Sequence, residues 1–472
     1  MAKASGAKKS YSSWISNKNK VHVAKTPVTT KAVTLQDSLR PILIIGQAFG
    51  LFPVIGLYSK HEANLRFYWI SWKCLYSIIL LSGQIWMCIM CFNKMFRLET
   101  TLQTTSPAIF YGTTCIYIAL FLQVSLKWPK LVKHAIQTED LDPNFDTSLT
   151  LKCYMTCAVV LLLAILEHIL SLLYALSEAI ACYSHTHTST YEGFVRVNYP
   201  WVYKFMPYSI PLGMITQVSY QNDRRTQIIS IFNGKLQIHE FNVPDLFQLL
   251  HFQATFIWNF SDLFVICTSY YLTSRLDNVN GKLLIAQGKY LPASFWRSAR
   301  EEYSRVTQLV RKVDDVISGI VFISFANNLF FVCLQLFNTL ENGIKDTGAC
   351  HASRLKGTTL FAGYEGPAYF IFSLVYLISR SVAVSLIASQ VNSASLLPAR
   401  VLYDVPSPVY CIEVQRFIDQ VNGDNVALSG LQFFTVTREL LLTVAGTIVT
   451  YELVMLQLTP SAQVPTANGT MT

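Results

Sequence analysis

Polar side chains stand inside otherwise apolar stretches of this chain at helical intervals. In the run at 151–182, Glu167, Ser171, Tyr174 and Glu178 follow one another at four, three and four residues, so one helix face presents them. In the run at 254–274, Trp258 and Asp262 lie one turn apart with Asn259 beside them. Asn327 and Asn328 interrupt the run at 315–338, and Tyr364 and Glu365 stand at the start of the run at 362–388. These are carboxylates, amides, phenols and an indole, with no nucleophile and base placed together. They suit hydrogen bonding to a polar ligand, with Trp258 as a stacking platform. Acids in hydrocarbon are functional hypotheses by default. The same groups would also serve as hydrogen bonds between helices, and residue types alone leave both readings open.

A second pattern occupies the last apolar run, 433–458. Thr447, Thr450, Tyr451, Val454, Gln457 and Leu458 recur at three to four residues and share a face. A polar stripe on a helix long enough to cross a bilayer suggests the wall of a pore, against the alternative of a helix packed among others. Glu452 falls off that face and reads as a packing partner rather than a selectivity ring.

The elements that must position these residues follow from composition. Of 472 residues, 52 % are hydrophobic and 14 % charged, which places the chain among all-α polytopic membrane proteins. No dinucleotide fingerprint, P-loop, HExxH or GxSxG pattern occurs, so neither an enzyme nor a cofactor is indicated. Of the eleven cysteines, one pair, Cys88 and Cys91, has CxxC spacing; it lies on an apolar helix with no further ligands near it in sequence, and the cysteines read as small apolar packing residues rather than zinc ligands. The net charge of +9 is segregated by loop, which argues against a nucleic-acid partner.

Apolar runs lie at 39–58, 67–92, 106–126, 151–182, 254–274, 315–338, 362–388 and 433–458. The first holds Gly46, Gly50, Pro53 and Gly56, and reads with its flank, 37–58, as a re-entrant or interfacial segment. If the other seven cross, Lys and Arg number seven in the tail 1–36, three in 127–150, eight in 275–313 and two in 391–430. Leaving aside residues 218–253, which add Arg224, Arg225 and Lys235, seven fall in the opposite loops: Lys94, Arg97, Arg196, Lys204, Lys345, Arg354 and Lys356. The positive-inside rule then puts the N-terminus in the cytoplasm and the C-terminus outside. Residues 1–36, with no acid and no apolar segment, read as a disordered basic cytoplasmic tail, and 459–472 as an extracellular tail. Between them, 67–390 holds six crossings and a cytoplasmic helical loop at 275–313. An anchor helix follows within 391–430, then the pore-lining run at 433–458. Glu301–Asp315 and Pro408–Val421 both show apolar stripes at helical spacing, the second being Val414, Phe417, Ile418 and Val421. These stripes need partners, which suggests an intracellular bundle formed between subunits.

Several motifs occur together in order: Arg40-Pro41-Ile42-Leu43 through Gly50-Leu51-Phe52-Pro53, then Ala254 to Asp262. Arg311-Lys312-Val313-Asp314-Asp315, Ser324 to Phe331, and Thr450-Tyr451-Glu452 with Gln457 come after them. On these the chain resembles the insect gustatory receptors, and within them the sugar-receptor group, over about residues 37–458. The family's terminal signature is Thr-Tyr, five mostly apolar residues, Gln, Phe; Leu458 stands here at the last position. The resemblance implies seven membrane helices, a cytoplasmic N-terminus, and a homo- or heterotetrameric plasma-membrane cation channel of gustatory neurons, opened by sugars. It implies monovalent and divalent cations as permeant partners, and other gustatory receptor subunits as possible ones. In that frame Glu167, Tyr174, Asn259 and Asp262 would hydrogen-bond sugar hydroxyls, with Trp258 against the ring and Asn327, Asn328, Tyr364 and Glu365 as further contacts. Gln457 and Leu458 would form the gate. Cys182 and Cys350 would share the extracellular side, where a disulfide is possible.

One segment departs from the family. Relatives run from the equivalent of Gln217 directly to that of Ala254, whereas here Val218–Gln253 intervenes with Asn222-Asp223-Arg224-Arg225 and Asn233-Gly234-Lys235. Val-Ser can be encoded GTAAGT and Phe-Gln TTTCAG, a splice donor and acceptor, so these 36 residues read as a translated retained intron, with a genuine extra loop as the rival. A G-protein-coupled receptor would need the opposite orientation and lacks its usual motifs here. A sugar transporter would explain a polar pocket without a pore, but no internal repeat stands out.

Overall fold

The computed structural model describes residues 34–59, 64–97, 102–141, 148–183, 243–342 and 364–458. The described helices are α1 (Leu35–Ala48), α2 (Trp72–Arg97), α3 (Leu102–Glu139), α4 (Leu149–Tyr183) and α5 (Val243–Ala286). Then come α6 (Ala293–Asn342), α7 (Glu365–Tyr403), α8 (Ile412–Gly423), a two-stranded hairpin of β1 (Ser429–Gly430) and β2 (Phe434–Thr435), and α9 (Arg438–Leu458).

Five of these helices are long and apolar enough to cross a membrane, with spans at Trp72–Arg97, Thr105–Glu139, Leu149–Ala175, Ala293–Thr339 and Gly366–Tyr403. The other two helices of 21 residues or more are α5 and α9. α5 is central, and from Phe256 to Ser269 nearly every side chain is buried, so protein rather than lipid surrounds its Asn259, Ser261, Asp262, Thr268 and Ser269. α9 carries its Thr, Glu and Gln residues on a helix with most side chains exposed. α4 is the opposite case, presenting Leu151, Tyr154, Met155, Val159, Leu162 and Ile165 outward as a hydrocarbon-facing surface.

α1 begins where the Thr34 hydroxyl accepts the Asp37 amide at 3.1 Å, a side-chain N-cap. Its 14 residues rise only about 21 Å, short of a hydrocarbon core of about 30 Å. Leu35, Leu39, Ile42, Leu43 and Gly46 face inward, and a Cβ on Gly46 would come 2.6 Å from the Phe260 ring, so glycine sets the α1–α5 approach. At the start of α1, buried Glu139 of α3 accepts the Leu35 amide at 2.9 Å and the Tyr271 hydroxyl at 2.6 Å, and lies 3.3 Å from the Arg275 guanidinium.

The cytoplasmic loop expected at 275–313 is two helix extensions meeting at residues 287–292: α5 runs on to Ala286 and α6 starts at Ala293. α6 continues without a break past Asp315 into its membrane stretch. The expected stripe of α8, Val414, Phe417, Ile418 and Val421, is buried as anticipated by its spacing, but its partners are in the same chain. Phe417 meets the Tyr303 ring of α6 at 5.3 Å, so the stripe needs no neighbouring subunit. Around α8, Glu413 lies 3.1 Å from Arg300, 3.1 Å from Arg416 and 3.9 Å from Arg297. Burial pushes the Glu413 carboxyl up, but the bond to Arg300 and the three guanidinium charges outweigh it and hold the group below the usual carboxylate range.

The last helix starts later than its apolar run. Residues 429–435 form the hairpin instead, because Phe433 and Phe434 pack on Phe322 and Phe325 of α6. Asp314 fixes the hairpin by accepting the Ser429 amide at 2.6 Å and hydroxyl at 2.7 Å.

Candidate functional site

The site grows from one turn of α5. Because that helix is surrounded by protein, Trp258, Asn259 and Asp262 each point at a neighbouring helix. Asp262, with no exposed surface, pairs with Arg380 of α7 at 2.9 Å. Its two oxygens also accept the Ser324 hydroxyl and, at 3.1 Å, the Asn328 amide, both from α6. Asn259 donates to the Thr255 carbonyl at 2.9 Å and accepts from Arg380. The Tyr376 hydroxyl stands 2.8 Å from the same Asn259 oxygen and 3.1 Å from the Val160 carbonyl of α4, and its single proton serves one of them at a time. Asn328 Oδ1 accepts the Trp258 indole N–H at 3.2 Å and lies 3.4 Å from an Arg380 nitrogen.

The Arg380 guanidinium sits 4.5 Å from the centre of the Trp258 ring and 5.4 Å from that of Tyr376. Buried charge is stable only when paired and hydrogen-bonded, and this constellation meets that condition with one acid, one base and two amides. The Trp258 face expected to receive a ligand ring thus already carries a guanidinium.

A second layer lies one turn away along α7. Glu167 of α4 accepts the Ser373 hydroxyl at 2.6 Å, and Ser373 accepts the Gln335 amide of α6 at 3.0 Å. A further turn on, Tyr174 stacks on Tyr369 with ring centres 5.9 Å apart and planes 17° apart. Tyr369, Ser373, Tyr376 and Arg380 are spaced four, three and four, the same intervals as the α4 face they oppose. Two matched polar faces therefore form a ladder between α4 and α7, ending on α5 and α6.

The ladder gathers Glu167, Tyr174, Trp258, Asn259, Asp262 and Asn328. Asn327 is buried too, but its side-chain oxygen has no hydrogen-bond partner among the described residues. Tyr364 caps the start of α7 at 72 % exposure and joins none of the contacts described, while the side chains of Glu365 and Glu178 lie outside the described residues. So do Cys350 and the Cys182 side chain. Sequence reading missed Arg380, Ser324, Ser373 and Tyr376. Arg380 carried a usable signal, a full charge in the middle of an apolar run, but a count of loop charges passes over it. No group of three or more His, Cys, Asp or Glu among the described residues is arranged to hold a metal.

Beside Asn328 a cavity of about 40 Å³ opens among α6, α7 and α9, lined by Leu329, Val332, Val384, Val444 and Ile448 among others. On α9 itself, Thr447, Thr450, Tyr451, Val454 and Gln457 are exposed, while the Leu458 side chain is outside the described residues. The Thr447 and Thr450 hydroxyls turn back to the carbonyls of Thr443 and Gly446, both at 2.9 Å.

The trehalose receptor family matches the chain in two stretches, residues 18–230 and 219–467. The chain belongs to this family of insect gustatory receptors. Among curated relatives, the Drosophila melanogaster gustatory receptor for sugar taste 64f is 32 % identical over 421 residues, 88 % of this chain and 79 % of that one. Gustatory receptor 5a for trehalose, from the same species, is 29 % identical over 429 residues, covering 90 % and 85 %. In fold, the chain is similar to the insect olfactory receptor OR5 from Machilis hrabei, with a TM-score of 0.54 and 15 % identity. That likeness covers 89 % of this chain and 97 % of the other. Membership of this receptor family and the five apolar helices make the chain a multi-pass membrane protein.

Proposed function

We propose that the protein is a gustatory receptor for sugars that works as a ligand-gated cation channel. The observation that carries the reading is the α4–α7 polar ladder, which ends at Asn328 beside a cavity bounded by α9. A sugar offers hydroxyls to planar acceptors and apolar ring faces to aromatics. Glu167, Tyr174, Tyr369, Ser373 and Gln335 form that set at one end of the ladder, and we assign sugar contact to them first. Asp262, Arg380, Asn259, Asn328 and Trp258 then position the helices and relay occupancy toward α9, with Asn327 adjoining. Names of the relatives, for sugar taste and for trehalose, support the ligand class.

In this reading α2 to α7 and α9 are seven crossings, with the N-terminus cytoplasmic and the C-terminus outside. Four subunits, identical or mixed with other gustatory receptors, place their α9 helices around one pore in the plasma membrane of gustatory neurons. Thr447, Thr450, Tyr451, Val454, Gln457 and Leu458 line it for monovalent and divalent cations, and Gln457 with Leu458 forms the gate. Whole-cell recording across a sugar panel tests this: the reading requires a sugar-evoked, cation-carried current that needs no G-protein signalling.

Residues 218–253 are assigned to a retained intron. Residues 218–242 lie outside the described residues, and 243–253 form the start of α5. Gln253 donates to the Phe49 carbonyl at 2.8 Å and accepts from Gln84 at 3.0 Å, tying α1, α2 and α5 together. With the segment excised, Gln217 directly precedes Ala254, so a glutamine again occupies that helix position. The two family matches also meet inside the segment. Sequencing the mature transcript tests it: a dominant message retaining codons 218–253 contradicts the assignment.

A further inference from the structure

Of the two acids of α9, Glu439 at its start is exposed, whereas Glu452 is buried and is used by neither the ladder nor the pore face. Glu452 is only 6 % exposed, and neither carboxylate oxygen has a hydrogen-bond partner among the described residues. Its neighbours in the helix, Tyr451, Leu453 and Val454, are exposed, so the side chain points back at α6, where Cys333 is buried beside it. An acid withdrawn from water without a partner is a costly arrangement, and one that a small movement relieves.

Two further features describe how lightly α9 is held. Its contacts run to α6 and α7, and Leu442, Val449 and Leu453 are largely exposed. The hairpin leading into it turns through Leu431 at φ 50° and Gln432 at φ 63°, left-handed conformations that residues with a Cβ adopt at a cost. Gly430 cannot yield there, since a Cβ would come 2.3 Å from the Phe434 ring. Asp314 holds the α6 side of this turn through Ser429. A strained turn, fixed at one end and followed by a thinly held helix, is the place where the chain can bend.

We propose that Glu452 is a cation-binding carboxylate of the channel, covered by α6 in this conformation and uncovered when α9 moves off α6. Uncovered near the outer end of the pore, it would attract hydrated cations and repel anions, an effect that salt screens. This deepens the channel reading and rests on it.

State-dependent labelling tests it in full-length receptors. Glu452→Cys, with wild type as control, is exposed to a charged methanethiosulfonate reagent at rest and during sugar application. The expected result is modification at least tenfold faster with sugar, read as a change in current that wild type does not show. In parallel, Glu452→Gln is expected to keep the sugar-evoked current while the cation-to-anion permeability ratio falls several-fold. The loss should be largest at low ionic strength and restored by Glu452→Asp. Equal labelling in both states, or an unchanged reversal potential in Glu452→Gln, overturns the role of Glu452 and leaves the channel reading standing. Absence of sugar-evoked current in wild type that reaches the surface overturns the channel reading itself. Should Glu452→Gln fail to reach the surface, the labelling and Glu452→Asp measurements decide alone.

Discussion

Replacing Arg380 with Met should be among the most damaging single changes in the membrane core. The substitution keeps most of the side-chain volume and removes the charge. What it removes is specific: the 2.9 Å pair with Asp262, the bond to Asn259, and the stack 4.5 Å over Trp258. Asn259 retains the Tyr376 hydroxyl at 2.8 Å, so its loss is partly covered. Asp262 retains Ser324 and Asn328 but no counter-charge. Breaking one side of a buried ion pair costs about 3–5 kcal/mol, whereas replacing both partners by neutral groups is often close to neutral. Arg380→Met and Asp262→Asn should therefore each cost about 3 kcal/mol or more, and the double mutant should recover at least about 2 kcal/mol of their sum. Thermal unfolding of purified receptor, followed by size-exclusion fluorescence, measures all four corners of the cycle. Additive losses, or an Arg380→Met protein as stable as wild type, would show that the pair does not hold these helices together.

Three further outcomes follow from other parts of the molecule. Gln457→Ala should change conductance or gating while surface expression stays at the wild-type level; wild-type currents would remove Gln457 from the pore. Glu413 has a folded pKa held below the ordinary value near 4.3. Its stabilisation is thus present above that value and lost as pH falls through the lower folded one. Glu413→Gln should melt earlier than wild type at neutral pH, with the gap closing in acid; a gap that is constant with pH refutes the assignment. Finally, Gln253→Ala should destabilise the 472-residue chain, and Gln217→Ala should do the same in the 436-residue chain lacking 218–253. The loss should be about 1–3 kcal/mol in each, because buried polar partners are left unsatisfied. A Gln217→Ala form with unchanged stability would mean that excision does not restore this contact.

What was legible beforehand is what repeats within one helix. The faces of Glu167–Tyr174 and Trp258–Asp262, and the stripe Val414–Val421, come from 3.6-residue spacing alone. What a polar residue pairs with is set by tertiary packing, so Arg380 and Ser324 as partners of Asp262 could not be read from spacing. Occupation of Trp258 by a guanidinium was hidden for the same reason. Residues 433–435 read as the start of the last helix because Phe433 and Phe434 extend the apolar run, and only their docking on Phe322 and Phe325 separates them from it. α5 is too polar for a lipid-facing span, and its central position explains that only once its neighbours are seen.

Sugar-gated current is the central claim, and patch-clamp recording from cells expressing the 436-residue form and the 472-residue form addresses it most directly. The account predicts a cation current evoked by at least one sugar in the 436-residue form, abolished by Glu167→Ala with the protein still at the surface. Surface-expressed receptor that gives no current to any sugar, or accumulates labelled sugar without current, would contradict it.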